Sequence, residues 1–349
     1  MFLLSIIFIA CLSPFFTNGA TSSRSLTSLL TFSRKGFLTM KSKPNADTVC
    51  DVIVIGAGLG GLSCASVLSA KYGQNVQVFE SHIHAGGCAH SFDITSKESK
   101  CTYKFDSGPT IVLGCSAPPF NPLMQVLNSV GGGSLIDWIR YDRWGMVTED
   151  GNWPFVLGPG HFDHDRNGPL AKFAGSTAIE EFRSLRAACD PLCKGAASIP
   201  TMALRGDSLR LLPLLRHLDA LKAVIPYSNI LNGNFRDFMK SHVRDPWLTA
   251  WLDALAFSLS ALDASSTGAA TMAYTLFDLH REGAALDYPK GGFGMIAEAY
   301  MKILEETGGS LFLKTSVKEI VVERGRAIGV KLSNGQFIRA KRGSYFEFY

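Results

Sequence analysis

No aspartate or glutamate occurs in the first 46 residues, no two cysteines are spaced Cys-x-x-Cys, and no apolar run reaches the roughly 20 residues a membrane-spanning helix needs. The eight cysteines (Cys11, Cys50, Cys64, Cys88, Cys101, Cys115, Cys189 and Cys193) follow no regular spacing. A zinc framework and a disulfide framework are both disfavoured. The body of the chain also lacks a basic surplus. Arg24, Arg34, Lys35, Lys41 and Lys43 against Asp47 account for the whole net charge of +4, so residues 51–349 sum to zero. Such a body has no charge with which to attract nucleic acid. What is abundant is apolar surface: 349 residues at 46% hydrophobic and 18% charged are enough to bury one large or two ordinary cores.

The acid-free start reads as an address. Residues 1–16 are almost wholly apolar, with no positive residue ahead of them and Pro14 inside, and Thr17, Asn18, Gly19 and Ala20 supply small or polar residues for cleavage. Residues 21–46 are rich in Ser, Thr, Arg and Lys. We therefore expect a signal peptide over 1–20 and a transit-like leader over 21–49. Together they predict import into a plastid that lies behind extra membranes, with the secretory pathway as the alternative.

The strongest chemistry follows at once. Residues 51–55 (DVIVI) form the continuous β-branched run of a buried parallel strand and lead into Gly56-Ala57-Gly58-Leu59-Gly60-Gly61. Gly56 suits a tight turn, Gly58 lets the backbone approach a pyrophosphate, and Gly61 lets a helix lie close to the strand. The helix N-terminus then faces the phosphates with unpaired N–H groups. A second strand, Asn75-Val76-Gln77-Val78-Phe79, ends at Glu80, 24 residues after Gly56. An acid there is placed to bind ribose hydroxyls and to repel a 2′-phosphate. This unit predicts a dinucleotide and leaves NAD and FAD open.

Two later features favour FAD. Gly86 and Gly87, in AGGCAHSF, would let the chain run close to a bulky cofactor, with FDSG and Pro109 following. Residues 310–340 alternate strand-like segments with Arg324-Gly325-Arg326 and Asn334-Gly335 turns. Val317, Ile320, Val322, Ile328, Val330 and Leu332 form the apolar face expected of this meander. The two regions flank a long insertion with apolar helical candidates at 209–221 and 247–262. Trp247, Trp251 and Phe257 are candidates to line an apolar channel. Cys189 and Cys193, four apart, are read as buried thiols on a helix. His161 and His164, beside Asp163 and Asp165, are read as a polar surface loop, and no metal site is expected.

The strings DVIVIGAGLGGLSCA, GGCAHSF, YPKGGFGMIAEAY and VKEIVVERGRAIGVKLSNGQFIRAKR together resemble the phytoene desaturase and carotenoid isomerase superfamily of FAD-dependent oxidoreductases, closest to its plastid carotenoid isomerase-like branch. The resemblance runs from about Asp51 to Arg342. It implies an α/β fold: a Rossmann-like FAD-binding domain of the glutathione reductase type, with an inserted, mostly helical substrate domain. The boundaries it implies are 50–115 and 287–342 for the FAD-binding domain and 116–286 for the substrate domain. Gly56, Gly58, Gly60 and Gly61 would cradle the pyrophosphate and Glu80 the adenosine ribose. Gly86 and Gly87 would pass the ribityl and flavin end, and the Val317 backbone would pair with adenine.

Where many members of that superfamily carry Arg or Lys beside the first glycine pair, this chain has Ala85 and Cys88, with His84 and His90 as the nearest substitutes. The resemblance implies an apolar carotenoid-like substrate, collected by peripheral contact with a membrane. It also implies hydride transfer or flavin-assisted isomerisation, and no side chain is singled out as a catalytic acid or base. A non-catalytic flavin- or polyene-binding remnant and a flavin amine oxidase are the alternatives. Residues 343–349 depart from the pattern and are read as an aberrant terminus, from which the next strand of the parallel sheet is expected to be missing.

Overall fold

The computed structural model describes residues 49–341 and 344–346, apart from Pro109, Pro119, Asp150, 164–166 and 198–226. All but Val49 of the leader expected over 1–49, the apolar stretch 209–221 and His164 therefore lie outside the described residues. Among the described residues the chain divides into two compact units. One comprises the residues up to Val112, Met124–Ile139 and those from Tyr288 onward, and the other comprises Leu113–Leu123 and Arg140–Asp287. Met124–Ile139, expected within the insertion, groups instead with the first unit.

The first unit is layered around a parallel sheet. β1 (Val52–Ile55) leads through the glycine turn into α1 (Leu59–Tyr72), and β2 (Val76–Phe79) returns parallel to β1, with Val52 opposite Val76 and Ile55 opposite Phe79. β3 (Ser91–Thr95) and β4 (Thr102–Asp106) then form an antiparallel hairpin. Beyond the insertion, α2 (Gly294–Glu306) precedes β5 (Ser310–Phe312), which pairs parallel with β2. An antiparallel meander of β6 (Val317–Glu323), β7 (Arg326–Leu332) and β8 (Phe337–Arg339) follows. Finally β9 (Ser344–Phe346) pairs parallel with β1, giving the sheet order β5-β2-β1-β9.

Packing explains why β1 and β2 read as unbroken apolar runs. Ile53, Phe79 and Phe312 share one buried cluster with Val330, Leu332 and Ile338 of the meander, and the rings of Phe79 and Phe312 stack at 5.3 Å. Strand alternation then turns Val52, Val54, Val76 and Val78 to the opposite, helical face, so both faces are covered. On the helical side small residues allow close approach. Ser66 Oγ donates to the Tyr300 carbonyl at 3.1 Å, and the hydroxyls of Ser69 and Thr307 meet at 2.7 Å, tying α1 to α2.

Three expectations are corrected here. Ser310–Phe312, read as the start of the meander, joins the parallel sheet instead. The strand expected to be missing beside β1 is supplied by β9, with Ile53 opposite Ser344 and Ile55 opposite Phe346; aromatic residues favour extended backbone there. Val322 does not lie on the buried face but is 58% exposed. The ladder shifts between Val321 and Val322, where Ile328 of β7 is left without an opposite residue, so the regular alternation assumed for the meander does not hold there.

The second unit is mainly helical, with a hairpin of Arg143–Thr148 and Gly151–Val156 added. Its helices include Gly175–Ala197, Pro246–Ser260 and Ala269–Leu279. Asp245 starts the second of these by accepting the Leu248 N–H at 2.8 Å, with Pro246 in the first turn. Phe155, Phe162, Phe182 and Trp251 form the aromatic centre of this unit, with Trp251 stacked on Phe162 at 4.4 Å.

Trp247, Trp251 and Phe257 therefore do not line a common channel: Trp251 is a core residue, Trp247 packs at its edge, and Phe257 is 62% exposed. Cys189 and Cys193 are buried on the helix as expected, and burial pushes the Cys189 thiol up to about 12. The loop around His161 is only partly a polar surface. Phe162 and Asp163 are buried, and Asp163 Oδ2 lies 3.2 Å from Arg186 Nη1. Among the described residues no helix is long and apolar enough to cross a membrane.

Candidate dinucleotide-binding site

The carboxyl ends of parallel strands are where open α/β sheets place their ligands. Here that edge carries the glycine turn after β1, Glu80 after β2 and the chain leaving β5. Gly56 adopts φ +95°, a conformation that favours glycine, and its N–H donates to the Phe79 carbonyl at 2.8 Å. Gly58 is the N-cap of α1, no side chain caps that end, and no acid lies in the first turn. The positive end of the helix dipole is thus left to a ligand.

A second glycine turn is stitched onto the first. The Gly86 N–H donates to the Ala57 carbonyl at 2.6 Å, and Gly58 and Gly86 form a parallel bridge. Gly86 and Gly87 have φ of +106° and +61°. A Cβ on Gly86 would lie 3.2 Å from both the Ala297 Cβ and the Ala89 carbonyl oxygen.

Glu80, only 8% exposed, closes the same corner: Oε2 accepts the Ala57 N–H at 2.7 Å, while Oε1 accepts the His82 N–H at 2.7 Å and the Ser81 hydroxyl at 3.2 Å. The Thr315 N–H donates to the Glu80 carbonyl at 2.7 Å, so the chain entering Val317 is tied to Glu80. Val317 itself opens β6 opposite Leu332, immediately before a register shift. Gly56, Gly58, Glu80 and Gly86 are thus held in one corner through bonds to Phe79 and Ala57 and the Gly58–Gly86 bridge, Gly87 follows Gly86 in the chain, and Thr315 links the approach to Val317 with Glu80. Gly60 and Gly61 lie in the first turn of α1.

One node escaped sequence reasoning. Asp106 Oδ1 accepts from the Ser91 hydroxyl at 2.6 Å and from the Phe293 N–H at 2.7 Å, and Ser91 Oγ accepts the Gly294 N–H at 2.9 Å. A carboxylate therefore braces the start of α2, which has no capping side chain of its own. This node gathers three of the strings singled out in the sequence: GGCAHSF, FDSG and YPKGGFG. The cross-strand register that pairs Ser91 with Asp106 was the only local signal available.

The residues present fit a dinucleotide. A helix N-terminus without a capping side chain, two glycine turns bonded to each other, the second of which has no room for a Cβ at Gly86, and an acid at the strand end form one cradle. A family model described as an NAD(P)-binding Rossmann-like domain matches residues 54–129. The chain is 28% identical over 300 residues to the chloroplastic prolycopene isomerase of Daucus carota, covering 83% of this chain and 45% of that protein. It is 26% identical to the all-trans-retinol 13,14-reductase of Rattus norvegicus (82% and 45% covered) and 25% identical to the phytoene desaturase of Neurospora crassa (82% and 46%).

The chain spans under half the length of these relatives. An oxidoreductase structure from Methanosarcina mazei, 20% identical, superposes with a TM-score of 0.53 over 85% of this chain and 58% of that one, which supports the fold. The homologues of this chain are thus prolycopene isomerases, phytoene desaturase and retinol reductases, on a Rossmann-like dinucleotide-binding fold.

Proposed function

We propose that this chain binds FAD and serves an oxidoreductase or isomerase acting on apolar, carotenoid-like polyenes. The observation that carries the reading is the double glycine turn closed by Glu80, in a chain whose relatives are named for prolycopene, phytoene and retinol. When bound, FAD supplies hydride acceptance or donation. The protein's own contribution is positioning. The N-terminus of α1 and the Gly56–Gly61 turn face the pyrophosphate, Glu80 takes the ribose hydroxyls, Gly86 and Gly87 admit the flavin end, and the Val317 backbone pairs with adenine. A lipid-borne substrate also makes peripheral contact with a membrane part of this reading.

The test is reconstitution. Purified full chain mixed with FAD and desalted is expected to keep visible flavin absorbance. Glu80→Gln is expected to weaken FAD binding about tenfold or more, the scale of one lost charge-assisted hydrogen bond. Organic extraction of the protein from a carotenoid-producing host is expected to yield bound polyene. Absence of flavin retention sinks the cofactor assignment, and oxidation of a polar amine in place of polyene binding sinks the substrate class.

The chloroplast address of the carrot relative, together with the acid-free first 46 residues, also leads us to propose plastid localisation. A fluorescent reporter fused to residues 1–50 is expected in the plastid. Cytosolic or secreted reporter overturns that assignment.

A further inference from the structure

We propose that the second unit holds a binding site for an apolar monocarboxylate, with the carboxylate on the guanidinium groups of Arg183, Arg186 and Arg281 and the apolar part on Leu276 and Phe277. These residues line one cavity of about 480 Å³, room enough for a small organic ligand. All of them belong to the second unit, so the inference is independent of the FAD reading.

The helix Gly175–Ala197 brings Arg183, Arg186, Ala187 and Asp190 to the cavity because a spacing of three, four and seven residues places them on one face. Leu276 and Phe277 come from the helix Ala269–Leu279, and Arg281 follows its end. Asp163, itself 1% exposed, fixes two of the arginines: its carbonyl oxygen accepts Arg183 Nη2 at 2.6 Å and its Oδ2 accepts Arg186 Nη1 at 3.2 Å. Arg186 Nη2 also donates to the His280 carbonyl at 3.4 Å. Arg281 Nε donates to Asp278, and its Nη1 to the Glu282 carbonyl at 3.2 Å. A guanidinium carries five N–H donors, so these bonds orient the forks without using them up. Among the described residues Arg183 Nη1 and Arg281 Nη2 have no acceptor.

Charge and shape choose the ligand. Three guanidiniums against the carboxylates of Asp163 and Asp190 leave the lining one positive charge in excess, which suits a ligand with a single negative charge. A phosphate monoester would bring about −1.5 to −2 to a wall that already holds two aspartates. The planar fork of arginine matches the two oxygens of a carboxylate. Leu276 is buried while Phe277 is 36% exposed, so the apolar part of a ligand finds a ring that is still open to contact.

Titration calorimetry of the full chain at neutral pH with decanoate, decanol, acetate and inorganic phosphate tests this. One decanoate per chain is expected to bind, roughly tenfold or more tighter than decanol, which lacks the charge, and than acetate, which lacks the tail. Phosphate is expected not to displace it. Arg183 is the most exposed of the three arginines, and Arg183→Gln leaves Arg186 on Asp163; it is expected to weaken decanoate about tenfold. Ala187 is an exposed methyl on the cavity wall, so Ala187→Trp is expected to fill the space and abolish binding with the urea midpoint unchanged. Equal affinity for decanoate and decanol, displacement by phosphate, or decanoate binding undiminished in either variant overturns the proposal, as does a wild-type chain that binds no decanoate. Each of these results leaves flavin retention, and the reading that rests on it, untouched.

Discussion

Gly86→Val is expected to destabilise the dinucleotide unit by about 3–5 kcal/mol, read as a lower urea midpoint at unchanged slope. Two costs combine. Valine at φ +106° holds a branched side chain in a backbone region that such residues avoid, which costs on the order of 1–3 kcal/mol. Its Cβ also meets the Ala297 Cβ and the Ala89 carbonyl oxygen at 3.2 Å, so either α2 or the short turn after Gly87 must give way. Overpacking of this kind costs roughly another 1–3 kcal/mol.

Gly73 provides the control. Its φ is +59° at the C-cap of α1, yet a Cβ there meets nothing within 4 Å. Gly73→Ala is therefore expected to cost only about 1 kcal/mol. Equal effects at the two glycines would show that crowding around Gly86 contributes nothing. Because Gly86 also donates to Ala57, the valine variant should lose nucleotide affinity along with stability.

The glycine positions were readable from sequence for a local reason. A strand that must turn sharply into a helix, 24 residues before an acid at the end of the next strand, constrains residues close together in the chain. The bracing of α2 by Asp106 was not readable, since Asp106 and Phe293 are 187 residues apart and nothing near either predicts the other. Val322 failed differently: Ile320 keeps a half-buried place as expected, but the ladder of this strand shifts twice, the second time between Val321 and Val322, and no local pattern shows where a ladder shifts. Trp251 and Phe257 share one helix, but only Trp251 points to the side that packs on Phe155 and Phe162. A period of 3.6 identified the helix, while the depth of each aromatic depended on partners from elsewhere in the unit.

A second large effect is expected at His280, a residue with no sequence signal at all. Its ring is 1% exposed, lies between Phe155 and Phe182 at centroid distances of 5.7 and 5.3 Å, and has no hydrogen-bond partner at either nitrogen. Burial first, and the Arg186 guanidinium second, push its pKa down to about 3. The ring is therefore neutral in the folded protein, while the unfolded chain takes up a proton near pH 6.5. The unfolded state binds more protons below that point, so stability is full above about pH 6.5 and falls by roughly 1.4 kcal/mol per pH unit down to about pH 3.

His280→Phe removes both the orphaned nitrogens and the titration. It leaves the backbone carbonyl of residue 280 free to keep accepting Arg186 Nη2 at 3.4 Å. The variant is expected to gain about 1–3 kcal/mol at pH 7, the cost of a buried unpaired polar group, and to gain more at pH 5. Urea midpoints across pH 4–8 check both parts, with His280→Leu as a companion in case the larger ring strains its aromatic neighbours. A variant that is less stable at pH 7 with either replacement would mean that an internal water satisfies the ring. A gain at pH 7 with an unchanged slope between pH 6.5 and 4 would keep the cost of the orphaned nitrogens and overturn the acid sensitivity assigned to His280.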